Sequence, residues 1–216
     1  MALKGAVMAE TVTRTAFARM AGEERPAKRA EVSRQQILDV AASLFRARGY
    51  TETSLRDIAA LVGMKAGSLY YHFTSKEELA AEVLRIGVER VHEVVAAAVA
   101  ALGPRATMKA RIEAAIAAHL ETLLVESDYT SAHIRCFPYV PPAIKAGLAD
   151  TRRAYEGVWK RLLGEAAAAG ALAPGIDPDV ARLAILGALN WSLEWFDPER
   201  GRPEELIRTL VAGFTR

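Results

Sequence analysis

Between Lys65 and Lys76 the chain reads KAGSLYYHFTSK, a run in which several kinds of hydrogen-bond donor stand close together around small residues. Lys65, Gly67 and Ser68 at its leading end allow a helix backbone to come close to base edges. Tyr70, Tyr71 and His72 then supply hydroxyls and a ring nitrogen suited to phosphate oxygens. Thr74, Ser75, Lys76 and Glu78 read as a capping box opening a long helix, which leaves Lys76 in a first turn whose amides attract an anion. The chemistry offered is hydrogen bonding to a nucleic-acid backbone and groove, with no covalent bond made or broken.

Two short helical patterns have to position this set. The first starts at Thr53 or Ser54, where a side-chain oxygen caps the opening turn, and its apolar face is Leu55, Ile58, Ala59 and Val62. Gly63 stops it, since a residue tolerant of positive φ turns the chain sharply enough for a second helix to begin at once. That second helix, Lys65 to Phe73, is too short and too polar to stand alone, so Leu69 and Phe73 anchor it. An earlier helix, Arg34 to Arg48, is capped by Ser33 and ends at Gly49. The three helices share a core of Ile37, Leu44, Phe45, Leu55, Ile58, Leu61, Leu69 and Phe73.

From Ser33 to Leu79 the chain resembles the TetR-type bacterial transcriptional regulators, through the runs Gly49 and Tyr50, Thr53 to Ala59 and Gly63 to Lys76. The resemblance implies base contacts from Lys65, Ala66, Gly67 and Ser68. It implies phosphate contacts from Thr53, Tyr70, Tyr71, His72 and Lys76. It also implies a homodimer whose last two helices, about 178–196 and 203–215, form a four-helix interface. A small molecule in the C-terminal core then changes the spacing of the two DNA heads through the helix at 76–102. The stretch Gly187 to Trp191, with Trp195 and Phe196, is similar to members that respond to acyl-CoA thioesters. The expected function is a repressor released from a palindromic double-stranded operator by a small apolar or amphipathic effector. An architectural DNA-binding protein and an enzyme with an incidental helix-turn-helix are the alternatives.

Charge is placed unevenly although the 216-residue chain carries only +2 overall: residues 1–76 hold +5 and residues 77–216 hold −3. The basic end coincides with the helix-turn-helix, where a phosphate surface that releases counterions belongs. Residues 1–30 read as a flexible basic arm, and Arg25, Lys28, Arg29 and Arg34 are its candidates for a minor groove. Residues 31–76 read as the DNA-binding domain and 77–216 as an effector-binding and dimerisation bundle.

Ala, Leu and Val at helical spacing, with few alternating β-branched runs, indicate an all-α fold. Helices are expected over Lys76–Leu102, Met108–Val125, Tyr129–Phe137, Ala143–Ala169, Asp177–Phe196 and from Pro203 onward, with Asp177 and Pro178 forming a cap followed by proline at the first helical position. The longest uncharged runs fall short of the ~20 residues a membrane-spanning helix needs. Cys136 is the lone cysteine, which fits a reducing cytoplasm. The four histidines lack close metal-ligand spacing, and no phosphate loop or nucleophile elbow is present, so no metal, cofactor or catalytic residue is assigned. In the second domain Phe137, Tyr155, Trp159, Trp191 and Trp195, with His119, His133 and Asn190 as polar handles, are candidates for an effector pocket. A packed core or a dimer interface is the competing use of the same aromatics.

Overall fold

A computed structural model describes residues 26–197 and 203–216, with the backbone alone over 26–33. Its contacts group the chain into two units, Met1–Gln35 and Gln36–Arg216. Ten α-helices are described: α1 (Pro26–Arg48), α2 (Leu55–Val62), α3 (Ala66–Leu69), α4 (Lys76–Ala101), α5 (Met108–Glu121), α6 (Asp128–Cys136), α7 (Pro142–Gly147), α8 (Ala149–Ala168), α9 (Pro178–Trp195) and α10 (Pro203–Phe214). A π-helical turn, Thr122–Glu126, follows α5, and a 3-10 turn, Phe137–Tyr139, follows α6. Among the described residues the sole β pairing is one bridge between Leu172 and Thr215.

Local signals account for most boundaries. Ser54 caps α2 in a reciprocal box with Asp57, and Gly63 ends it at φ 77°. Ser75 accepts from the Glu78 amide, while the Glu78 carboxylate reaches the Thr74 amide at 2.7 Å and so takes up a second donor at the same end. Asp177 caps α9 through the amides of Asp179 and Val180.

Elsewhere the structure corrects the expectation. Helix α1 begins at Pro26, a residue suited to a first helical position, and runs through Ser33, which therefore does not cap it. Helix α3 is a single turn, Ala66–Leu69, and not a helix to Phe73. After Leu69 the amides of Tyr71 and His72 bond three residues back, to Ser68 and Leu69, as a run without a side-chain cap readily does. The expected helix over Ala143–Ala169 is two helices that meet at Leu148, directly after Gly147.

Two apolar cores lie along α4. The first joins Ile37, Leu44 and Phe45 of α1 to Ile58, Leu69, Phe73, Leu79 and Leu84, and continues into Tyr129, Ala132 and Cys136 of α6. The second joins Val88, Val91 and Val95 to Ile112, Ile116, Trp159, Leu163, Ile185 and Val211. Burying each of these large side chains contributes about 1.5–3 kcal/mol, so neither α3 nor α6 depends on its own helix propensity. Gly87 lies between the two cores, where the α6 backbone crosses α4. A Cβ there would stand 2.2 Å from the Tyr129 carbonyl oxygen and 3.1 Å from the His133 Cβ.

Polar contacts fasten α6 to α1. Tyr129 donates to Asp39 at 2.6 Å, Arg46 meets Asp128 at 2.5 Å, and Arg135 donates to the Arg46 carbonyl at 2.6 Å. Arg135 also lies 3.8 Å from Glu194 of α9, so one side chain touches both the head and the outer helix.

Replacing Gly87 by Ala forces the two backbones apart. A loss of about 1–3 kcal/mol is expected, read as a lower urea midpoint. An unchanged midpoint would show that α6 gives way freely.

Candidate functional site

Most of the candidate DNA-contact residues named from the sequence lie on α3 and the turn after it. Leu69 and Phe73 are fully buried and hold this short element to α1 and α2. Around these anchors Lys65, Gly67 and Ser68 are exposed, Ala66 and His72 are half-buried, and Tyr70 and Tyr71 are 56% and 95% exposed. An almost bare tyrosine beside another is unusual for a ring that could have been buried. It leaves two hydroxyls open to solvent. The open space around Gly67, where an added Cβ would meet nothing within 4 Å, keeps the leading edge of α3 slim.

Lys76 folds back onto the turn before α2. Its ammonium lies 4.2 Å from the centre of the Tyr50 ring and 3.5 Å from the Thr51 carbonyl oxygen. Desolvation lowers its pKa, with Glu77 acting in the opposite direction. The side chain thus ties the start of α4 to the turn before α2, with donors remaining for an anion.

Thr53 does not join this set. It is 1% exposed, and its hydroxyl donates to the Gly49 carbonyl at 2.8 Å, with the Leu44 carbonyl at 3.4 Å. The side chain locks the α1–α2 turn from inside and is corrected from a phosphate contact to a structural one. Of the basic arm, Arg34 is exposed; Arg25 lies outside the described residues, as do the side chains of Lys28 and Arg29.

In the second core a cavity of about 70 Å³ opens between α4, α5, α6, α8 and α9. His119, His133, Tyr155 and Asn190 line it together with Val88, Val91, Thr130, Arg152 and Leu186. The other four aromatic candidates lie outside its lining. Trp159 is fully buried in the second core, and Phe137 packs on His133 beneath the Arg152 guanidinium, 4.0 Å from its ring centre. Trp191 and Trp195 are 66% and 53% exposed and lie on the outer face of α9 with Val180 and Leu183, at the three- and four-residue steps of one stripe. Sequence reasoning missed Arg152, Thr130 and the crossing at Gly87. Only Gly87 left a signal, as a glycine inside an otherwise strong helical pattern.

Burial favours the neutral form of three groups at the cavity, His119, His133 and Tyr155. Burial lowers His119 to about 4 and, with help from Arg152, lowers His133 to about 3; it raises the Tyr155 phenol. His119 Nδ1 and the Tyr155 hydroxyl are 2.6 Å apart, and His133 Nδ1 lies 3.1 Å from the Leu84 carbonyl oxygen, to which it donates. Cys136, buried against the Phe45 carbonyl, is pushed up to about 12 by burial, which makes the thiol a poor nucleophile. Among the described residues no three His, Cys, Asp or Glu side chains form a metal cluster, and no helix is long and apolar enough to cross a membrane.

Two family models cover this architecture. One for bacterial regulatory proteins of the tetR family matches residues 37–83, and one for the tetracyclin repressor-like C-terminal domain matches residues 105–216. The HTH-type transcriptional repressor KstR2 of Rhodococcus jostii (strain RHA1) is 30% identical over 175 residues, spanning 76% of this chain and 80% of the relative. The crystal structure of AibR in complex with isovaleryl coenzyme A and operator DNA superposes with a TM-score of 0.74 at 25% identity, over 83% of this chain and 96% of that one. KstR2 of Mycobacterium tuberculosis shares the fold, with a TM-score of 0.72 at 23% identity over 92% of this chain and all of that one.

Stability should fall on mild acidification. In the unfolded chain both buried histidines return to about 6.5 and take up protons. Their lowered folded pKa values therefore contribute stability that is complete above pH 6.5. It is lost as pH falls towards 4 for His119 and 3 for His133. By pH 5 the loss is about 2 kcal/mol per histidine, measured as urea midpoints at pH 7.5 and pH 5. A flat profile would contradict the neutral burial of both rings.

Proposed function

Because the chain belongs to the TetR family of bacterial regulatory proteins, we propose that it is a cytoplasmic, sequence-specific repressor of transcription, released from a palindromic operator by a small apolar or amphipathic effector. The observation that carries the reading is the exposed pair Tyr70 and Tyr71 beside Gly67 and Ser68, on an element held in place by the buried Leu69 and Phe73. In this reading the division of labour falls at Lys76, with DNA contact before it and effector binding and dimerisation after it.

Lys65, Ala66, Gly67 and Ser68 meet base edges, and Tyr70, Tyr71, His72 and Lys76 meet phosphates. The homodimer forms through the outer faces of α9 and α10, and its two heads stand about 34–36 Å apart to reach successive major grooves. Support for the dimer is the stripe Val180, Leu183, Trp191 and Trp195, an exposed apolar face of the kind that marks an interaction surface. An effector that prefers another head spacing lowers operator affinity by that preference and no more. The isovaleryl coenzyme A complex of AibR favours an acyl-CoA thioester, of which the cavity takes only the acyl end.

Selection of bound duplexes from a random library tests the reading. An enriched palindrome is expected; binding without enrichment would replace it with the architectural alternative. On the selected duplex, Tyr71→Phe should weaken all sequences alike by about 1 kcal/mol, whereas Ser68→Ala should change the preferred base at one position. Equal effects on affinity and preference from both variants would contradict the assignment.

Leu183→Glu combined with Trp191→Glu should convert the dimer to a monomer in sedimentation and abolish operator binding while leaving helicity intact. A persistent dimer would move the interface elsewhere.

A further inference from the structure

Lys76 stands where a cation does nothing for the helix that carries it. It opens α4, a helix of 26 residues, at the end whose backbone dipole favours negative charge, and the acids that suit that end, Glu77 and Glu78, stand beside it. A lysine in this first turn is opposed by the dipole until an anion arrives. The helix amides and the ammonium then attract the same anion together.

The Tyr50 ring holds the side chain. The ammonium lies 4.2 Å from the ring centre, and one of its three donors reaches the Thr51 carbonyl oxygen at 3.5 Å. The ring is fixed in its turn. It is 9% exposed, its centre lies 6.1 Å from that of Phe45, and its hydroxyl donates to the Glu77 carboxylate at 3.3 Å. Tyr50, Lys76 and Glu77 thus close a small circuit, from ring face to ammonium, along the chain, and back to the phenol.

A tie between α4 and the α1–α2 turn needs no charge, since an alkyl chain on the same ring packs as well. A charge held on a π face does something further. A loose lysine gives up rotamer freedom when it grips a phosphate, whereas one already held gives up little.

We infer that Tyr50 is a positioning residue for DNA binding: its ring face holds the Lys76 ammonium in the pose from which the donor left over meets a backbone phosphate, and its hydroxyl bond to Glu77 holds the ring. The inference rests on the assignment of Lys76 to a phosphate above and deepens it, by naming what orients the charge.

The test uses the full chain, the selected duplex and a random-sequence duplex of equal length, with a double-mutant cycle between positions 50 and 76. Tyr50→Leu should weaken binding to both duplexes by about fivefold, because a phosphate contact carries no sequence information. With Lys76→Gln already in place the same change should cost less than about twofold, and Tyr50→Phe, which keeps the ring face, should stay within about twofold of the unaltered protein. An equal loss from Tyr50→Leu in both backgrounds would make the ring a structural tie and overturn the inference, as would no loss at all. Should Tyr50→Leu fail to fold, proton NMR of the unaltered protein decides: the ring should shift the Lys76 ε-protons upfield, in the free protein and on the duplex alike. Absence of that shift, or its disappearance on DNA binding, would show that the ring does not hold the lysine in its working pose. Lys76→Gln alone separates the inference from the reading beneath it. An unchanged salt dependence sinks the phosphate contact itself, and the role of Tyr50 with it. A salt slope smaller by about one unit, without coupling between the two positions, sinks the role of Tyr50 alone.

Discussion

The crossing of α6 over α4 at Gly87 is the constraint on which the remaining arrangement depends. With no side chain at that position, the Tyr129 carbonyl comes to a place that any Cβ would occupy. The Thr130 hydroxyl then donates to the Gly87 carbonyl at 3.0 Å, and His133 turns back to the Leu84 carbonyl on the same rod. Only because α6 lies this low can it meet α1 on its other side through Tyr129, Arg135 and Cys136. The head and the cavity are thus neighbours of one nine-residue helix, with no independent route between them required. A displacement of α6 at the cavity wall is a displacement at the base of the head, since close-packed interiors transmit strain and do not absorb it.

The element proposed to meet DNA shows the opposite economy. Helix α3 has one turn and no side-chain cap, and its exposed residues contribute nothing to the core. Its position is set by two anchors, Leu69 and Phe73, and by the turn at Gly63. Such an element is rigid only while its neighbours are, which leaves its polar side chains free to be chosen for the partner and not for the fold.

Sequence alone made legible whatever is decided within one turn of chain. Ser54, Gly63, Ser75 and Asp177 start or stop helices by local hydrogen bonds or by a single φ, and each does so in the structure. The family likeness rests on the same short-range pattern around the head. Exposure is a tertiary property and was less legible. Thr53 carries the residue type of a phosphate contact but lies under the turn it fastens, and Trp191 and Trp195 share a helix face that points away from the cavity. Four pocket candidates, His119, His133, Tyr155 and Asn190, do line the cavity, whereas Trp159 fills the core beside it. Composition could not separate them, because a buried aromatic next to a void and one next to a leucine satisfy the same periodicity.

The π-helical turn at Thr122–Glu126 has a consequence for how related chains are compared. A π turn accommodates one residue more than the α-helical period at that point. Residues before it keep His119 on the cavity side, and the chain leaves it through the extended Ser127, which caps α6. A relative shorter by one residue here closes the same stretch with a plain α turn and keeps the face of α5 that carries His119. A gap placed even one turn earlier in an alignment would rotate His119 out of correspondence with its counterpart. The residue-by-residue history of this cavity is therefore readable only when the gap is assigned to the turn itself.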